Sequence, residues 1–420
     1  MLNIISGFMN IADLRKKILF TIGMIVLFRL GAHIPVSGID AVKMQSLFGQ
    51  GNIMNFLDLF TGGALMRFSI FAMGIVPYIN ASIILQLLQV VIPQLEELAK
   101  EGDSGRKQIA AYTRYLTVVL AAFQAFGMAF WLRGVMLPDY NFVFFLIGTV
   151  ISLTAGSSLV MWFAELITDR GIGNGASLLI FAGIVSRIPS YVGQTITLVR
   201  GGASLIGVLI LLAAFILMLV AIVIVQEGQR RVPVQYAKRI VGRKMYGGQS
   251  TYIPLRINQG GVIPIIFASS VLLFPATLAQ FVPGGAMQKV IGWLSPSGGL
   301  YLVLYFVLIF FFTYFYTAIT FNPTELAENI KKYGGFVTGI RPGKPTAQYL
   351  EYTITRLTLV GALFLAGIAI VPSIVESLTR ITSFQGLGST SLLIVVGVAL
   401  DLVRQIQTHL VTRQYEGLLA

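Results

Sequence analysis

The sequence predicts an all-α polytopic membrane protein of ten transmembrane helices, arranged as two inverted five-helix halves. Three observations carry that prediction. Of 420 residues, 56% are hydrophobic and 11% charged, with a mean hydropathy of +0.82, more than a soluble domain of this size keeps in solution. Ten apolar windows, near residues 18–35, 69–92, 113–133, 142–164, 175–197, 204–225, 260–281, 300–321, 356–376 and 390–411, are long enough to span a bilayer. An internal repeat falls in the second span of each half.

The first span comes after the basic head "DLRKK" and carries Arg29 with no small-residue cleavage site, so it reads as a retained helix rather than a signal peptide. Behind it comes "NFLDLFTGGALMRFS" (55–69), apolar at helical spacing through Phe56, Leu57, Leu59 and Phe60, then broken by Gly62-Gly63 before Leu65. It is too short to cross a membrane. From its residues alone it reads as an interfacial helix.

The repeat pairs "GIVPYINASIIL" (74–85) with "GVIPIIFASSVL" (261–272): G-x-x-P-x-I-x-A-S twice. Chance similarity between apolar helices is the competing account. The odd number of spans per half sends the second copy into the membrane from the opposite side, as in inverted-repeat membrane proteins. Pro77 and Pro264 are expected to kink their helices at mid-span, which would place spans two and seven face to face at a central seam. Ile75, Ile79 and Ile266 would line it, with Asn80, Ser82 and Ser269 the nearest polar groups and no ionisable residue in the middle of either span. Aliphatic linings bind no ion but can close a pore by dewetting. The bland alternative is isoleucines facing lipid.

Roughly three-quarters of the Lys and Arg fall on the side of the N-terminus, which the positive-inside rule makes cytoplasmic together with the C-terminus. Much of the net charge of +13 is thereby topology. The loop 226–259 holds seven basic residues, Arg243 and Lys244 among them, and alternates like a protruding β-hairpin. Such a projection suits an acidic partner such as ribosomal RNA phosphate. The loop 322–355 opens with "NPTELAENIKKYGG", a short helix capped by Asn322 or Thr324 and ended by the glycines, and then the turn "GIRPGKP".

Little in the chain suggests chemistry. With no Cys and only His33 and His409, no metal site is expected. "DRGIGNG" lacks the P-loop pattern, no H-E-x-x-H occurs, and Glu165, Asp169 and Asp401 lie near span ends, so catalytic residues and cofactors are expected to be none. A secondary small-solute transporter remains the alternative to a channel.

The runs "FTGGALMRFSIFAMGIVPYINASIILQLL", "ITDRGIGNGASLLIFAGIV", "FNPTELAENIKKYGG", "GIRPGKPT" and "GSTSLLIVVGVALD" together resemble the SecY family, the channel subunits of the bacterial Sec protein translocon, over essentially the whole chain. The resemblance implies a central hourglass pore with a plug helix and a lateral gate. It implies an N-terminal segment 1–17, an N-terminal half 18–200 with the plug near 55–69, a C-terminal half 201–411 and a tail 412–420. Carried over by motif, the pore ring falls on Ile75, Ile79, Ile180, Ile266 and Ile394, and the lateral gate borders Asn80, Ser82 and Ser269. Docking falls on Arg243, Lys244 and Arg341, although Arg341 also reads as a turn residue bonding nearby carbonyls. Implied partners are SecE-like and SecG-like small membrane subunits, the motor ATPase SecA, the ribosome, signal peptides and secretory precursors, and membrane lipid. The implied location is the bacterial plasma membrane.

Overall fold

The computed structural model describes residues 12–48, 58, 60–202, 204–236, 239–241, 244–246, 250–280, 299–379 and 389–419. Ten long helices match the ten windows: α1 (Ala12–Gly31), α3 (Val76–Val91), α5 (Asp103–Trp131), α6 (Phe142–Arg170), α7 (Gly175–Arg200), α8 (Leu205–Glu227), α9 (Ile263–Gln280), α10 (Gly299–Thr320), α12 (Lys344–Thr379) and α13 (Ser389–Leu419). The short α2 (Ala41–Leu47) comes after α1, α4 (Pro93–Lys100) after α3, and α11 (Pro323–Lys332) precedes α12. Among the described residues, seven helices are long and apolar enough to span by themselves. The pair α3 and α4 makes an eighth, bent by 102°.

The bend has a local cause. Ile92 is extended (φ −102°, ψ 111°) immediately before Pro93, the conformation that a proline imposes on the residue before it. Pro77 and Pro264, expected to kink their helices, instead occupy the second position of α3 and α9. First-turn N–H groups have no intrahelical acceptor, so proline there costs no hydrogen bond and pre-sets φ. The spacing shared by the two copies is a helix-starting device: Gly74 (φ +55°) and Gly261 (φ +60°) each adopt a left-handed turn three residues before their proline. Both copies turn the chain and start a helix in the same way, which chance similarity would not produce.

The second span consequently begins at Val76 and not near residue 69. Sixteen residues of α3 rise about 24 Å, short of the ~30 Å hydrocarbon core. The remaining depth is filled by turns. Irregular backbone is tolerated there only when protein satisfies it, and it is satisfied: Val36 N donates to Phe68 O at 2.8 Å, Ile70 N to Ile34 O at 3.0 Å, Ser69 N to Ala64 O at 2.9 Å and Gly74 N to Phe71 O at 2.8 Å. The α1 exit and this segment thus knit together.

Strand β1 (Gln229–Tyr236) pairs antiparallel with β4 (Ser250–Arg256), and β2 (Arg239–Val241) with β3 (Lys244–Tyr246), giving the expected hairpin between α8 and α9. A third strand was not legible in the sequence. β5 (Gly335–Val337) adds to the other edge of β1, with Val234 opposite Val337. Val232, Val234, Leu255, Ile330, Val337, Leu350 and Ile354 form a small core there, joining the two large loops into one body. Asn322 caps α11, accepting from the N–H groups of Thr324 and Glu325. The turn in "DRGIGNG" ends the same way, with Asn174 capping α7.

Prediction: Gly74→Ala lowers the thermal midpoint of the detergent-solubilised protein more than Gly261→Ala does. Both impose left-handed strain of about 1–2 kcal/mol, but a Cβ at Gly74 would stand 3.2 Å from Thr61 Cγ2, whereas nothing lies within 4 Å at Gly261.

Candidate pore, plug and gate

The five isoleucines sit on four helices. Ile75 is the N-cap of α3, and Ile79 N donates back to Ile75 O at 3.1 Å, so the two stack one turn apart. Ile266 occupies the first turn of α9, where Ile266 N donates to Val262 O. By the repeat, Ile79 and Ile266 are equivalent. Ile180 and Ile394 lie in the second turns of α7 and α13. None is more than 8% exposed, and all five belong to one hydrophobic cluster. The halves meet chiefly where α3 packs on α9 and α7 on α13. The helices that close the two seams are those that carry the isoleucines.

Of the gate residues, Asn80 and Ser269 are buried and Ser82 half-buried. Ser82 Oγ accepts from Gln86 Nε2 at 3.2 Å, and Ser269 Oγ donates to Ile266 O at 2.9 Å. Both bonds stay within one helix. Among the described residues no side-chain hydrogen bond from these three crosses from α3 to α9, so packing holds that seam.

Phe56, Leu57 and Leu59 lie outside the described residues. The next part of the segment is buried in protein: Phe60 is 6% exposed, Ala64 0% and Leu65 1%. An interfacial helix on the outer surface, the reading from residues alone, is incompatible with that burial. Helical geometry at Asp58, Phe60 and Thr61 gives way to turns at Gly62 (φ +66°) and Gly63 (φ +90°). The evident use of the glycines is close approach. A Cβ on Gly62 would stand 2.8 Å from Gly183 Cα in α7 and 2.5 Å from Arg29 Nη1.

Sequence reasoning missed the charges that surround this turn. Asp58, fully buried, is ion-paired with Arg187 of α7, and its Oδ1 accepts from Met66 N at 2.8 Å. Arg29 Nη1 donates to Gly62 O at 2.8 Å. The signal was available, since an arginine inside a span calls for a named partner.

On the sheet side, a cavity of about 330 Å³ is lined by Asn174, Ser177, Gly261, Ile263, Asp401 and Arg404, among others. Arg404 ties α13 to the end of α8 through Glu227 Oε1 and Gln226 O. Arg243 lies outside the described residues, and Lys244 begins β3. Arg341 is exposed in the turn after β5. Its carbonyl accepts from Thr346 Oγ1 at 2.9 Å, while its guanidinium makes no hydrogen bond or ion pair among the described residues. The turn is thus built without that side chain. No cluster of His, Cys, Asp or Glu able to hold a metal occurs among the described residues.

The sequence profile of the SecY family matches residues 69–403. This chain belongs to the SecY family. It is 48% identical over 418 residues to the protein translocase subunit SecY of Synechococcus elongatus, covering 97% of this chain and 94% of that protein. To the SecY of Corynebacterium glutamicum it is 49% identical over 442 residues, covering 99% of each. A solved structure described as "The structure of a protein conducting channel" superposes with a TM-score of 0.69 at 18% identity, over 95% of this chain and 93% of that one. Sec61 in a canine ribosome-channel complex gives 0.65 at 16%, over 95% and 93%. As a SecY-family chain with the SecY fold, it is a protein-conducting channel and not a small-solute transporter.

Prediction: Gly62→Ala displaces the turn at Gly62-Gly63 and raises ion leak through the reconstituted channel more than Gly183→Ala. The latter's Cβ would sit 3.1 Å from Phe60 O and 3.3 Å from Gly62 N, a contact that a small shift relieves.

Proposed function

We propose that the polypeptide passes between the two halves through a ring of Ile75, Ile79, Ile180, Ile266 and Ile394, with the segment around Phe60–Leu65 plugging the resting pore. The observation that carries this reading is the coincidence of the buried isoleucines with the two inter-half seams. An aliphatic waist holds no water when closed and offers no site for an ion. When an unfolded chain enters, the same side chains slide against it without hydrogen bonds that would retain it.

The channel supplies no chemistry of its own. It lowers the cost of moving polar backbone through hydrocarbon, which is several kcal/mol for each unsatisfied group. Direction comes from outside: from a motor ATPase of the SecA type or from the translating ribosome, with SecE-like and SecG-like subunits beside the channel in a bacterial plasma membrane and both termini cytoplasmic. The β1–β4 hairpin with Lys244, and the turn bearing Arg341, form the docking surface. In support, β5 fixes the two loops to each other, and Arg341 is exposed with its charge unspent. The α3–α9 seam is the lateral gate. Among the described residues, no side-chain hydrogen bond from Asn80, Ser82 or Ser269 crosses that seam to be broken before a signal peptide or membrane segment passes into lipid.

Prediction: Ile79→Asn or Ile266→Asn raises ion leak of the closed, reconstituted complex and permits export of precursors with defective signal sequences, whereas Ile79→Val preserves the seal. Leak and signal stringency equal to the parent in both Asn variants would remove the ring from the assignment. Prediction: Arg341→Glu reduces motor-driven translocation of a secretory precursor by about tenfold, since reversing a charge in a docked pair costs on the order of 1.4 kcal/mol or more, while leaving resting ion leak at the parent level. Equal transport rates would place docking elsewhere.

A further inference from the structure

We infer that Asp58, Arg187 and Arg29 are positioning residues that latch the plug to the N-terminal half, and so set how readily the channel opens. This rests on the reading of residues 55–69 as the plug. A carboxylate with no solvent exposure persists only if its charge is matched and its lone pairs are used. Asp58 meets both conditions through Arg187 and the N–H of Met66. Thr61 Oγ1 lies at the edge of hydrogen-bond reach of Oδ1, 3.5 Å away, and it also binds Leu65 N and Asp58 O. The carboxylate thereby folds the turn on itself and pins it to α7. Arg29 of α1 takes hold of the same turn at Gly62 O.

Both ties end on the first half. Parting α3 from α9 therefore opens the gate without releasing the plug, and opening of the pore needs a second event that breaks the latch. The charges make that event sensitive to a single group. Arg29, Arg67 and Arg187 gather around the glycine pair: a Cβ on Gly63 would stand 3.2 Å from Arg187 Nη1 and 3.9 Å from Arg67 Nη1, and one on Gly62 would stand 2.5 Å from Arg29 Nη1. One carboxylate faces three guanidinium groups. Removing it loses the ion pair and leaves three like charges around a turn of low dielectric, where their repulsion is weakly screened. Arg67 is also within 2.7 Å of His33 Nε2, while His33 Nδ1 lies 2.8 Å from Arg29 O, so the third arginine is held at the end of α1.

The test uses the reconstituted channel complex, in the parent and in Asp58→Asn, Arg187→Gln, Arg187→Lys and the Asp58→Asn/Arg187→Gln double variant. The chain has no cysteine, so Met66→Cys in each background reports plug release by its reaction with a membrane-impermeant maleimide from the plug side. Labelling rate and resting ion leak are expected to rise roughly tenfold or more in Asp58→Asn and Arg187→Gln, a threshold set below the full effect of breaking a buried ion pair. They should rise less than the sum of the single effects in the double variant, and stay near the parent in Arg187→Lys. Export of signal-defective precursors should increase in the unlatched variants, whereas a merely structural defect would lower it. If Asp58→Asn fails to assemble, the charge-balanced double variant carries the test alone. Labelling and leak within twofold of the parent would overturn the latch. Failure of the parent to move any precursor with motor and ATP would instead overturn the channel reading beneath it.

Discussion

Hydrocarbon offers no partner to a peptide group, and the architecture here answers to that constraint first. Ten helices close their own hydrogen bonds. Among the described residues, two places break the rule: the turns from Gly62 to Ile75, and the approach to α9 through Asn258, Gly260 and Gly261. Each is admissible because other chain surrounds it. At the first, the chain just after α1 offers the carbonyl of Ile34 to Ile70 N, and its Val36 N donates to Phe68 O. At the second, Asn258 Nδ2 donates to Gly261 O at 2.8 Å. Irregular backbone at depth is tolerated only where protein buries it or it lines a water-filled cavity, and protein surrounds both of these turns.

The repeat links that constraint to mechanism. A helix that starts inside the membrane must turn sharply and must leave its first N–H groups without intrahelical acceptors. Gly74 and Gly261 do the first, and Pro77 and Pro264 remove one of the orphan donors. Starting late has a further consequence. It brings Ile79 and Ile266 into the first turn of their helices, so a ring built on them, as proposed above, would be only a few residues thick. Funnels above and below then need no long apolar tunnel between them.

Much of this was legible in the sequence, and the reasons differ by element. Span number came from length and hydropathy because burial in lipid demands continuous apolar runs. The hairpin came from alternation and turn residues, and the capping of α11 from Asn322. The prolines start helices rather than kink them, and hydropathy hides this because it does not locate where a helix begins: residues 69–75 are as apolar as the helix they precede. The β5 strand was invisible because three residues, "GFV", carry no period, and their pairing with Val234 lies a hundred residues away in the chain. The repeat pointed to Ile75, Ile79 and Ile266 as seam candidates, while Ile180 and Ile394 came from family motif alone. Nothing in their spacing separates a pore-facing isoleucine from a lipid-facing one.

The charges around the turn at Gly62-Gly63 show a different limit. Of these groups only Arg29 stood out in the sequence, as an arginine within an apolar span, and finding its neighbours Asp58 and Arg187 required knowing that α1, α7 and the turn meet. Packing supplied that knowledge through glycine: Gly62 against Gly183 brings two backbones close enough for the arginine one turn beyond Gly183 to reach the buried acid. Small residues set the distance, and the charge then sets the energy. A seal made only of greasy contacts would give way gradually as its neighbours moved. Adding a desolvated ion pair makes release closer to all-or-none, because a half-broken pair leaves charge unpaired where water cannot reach it.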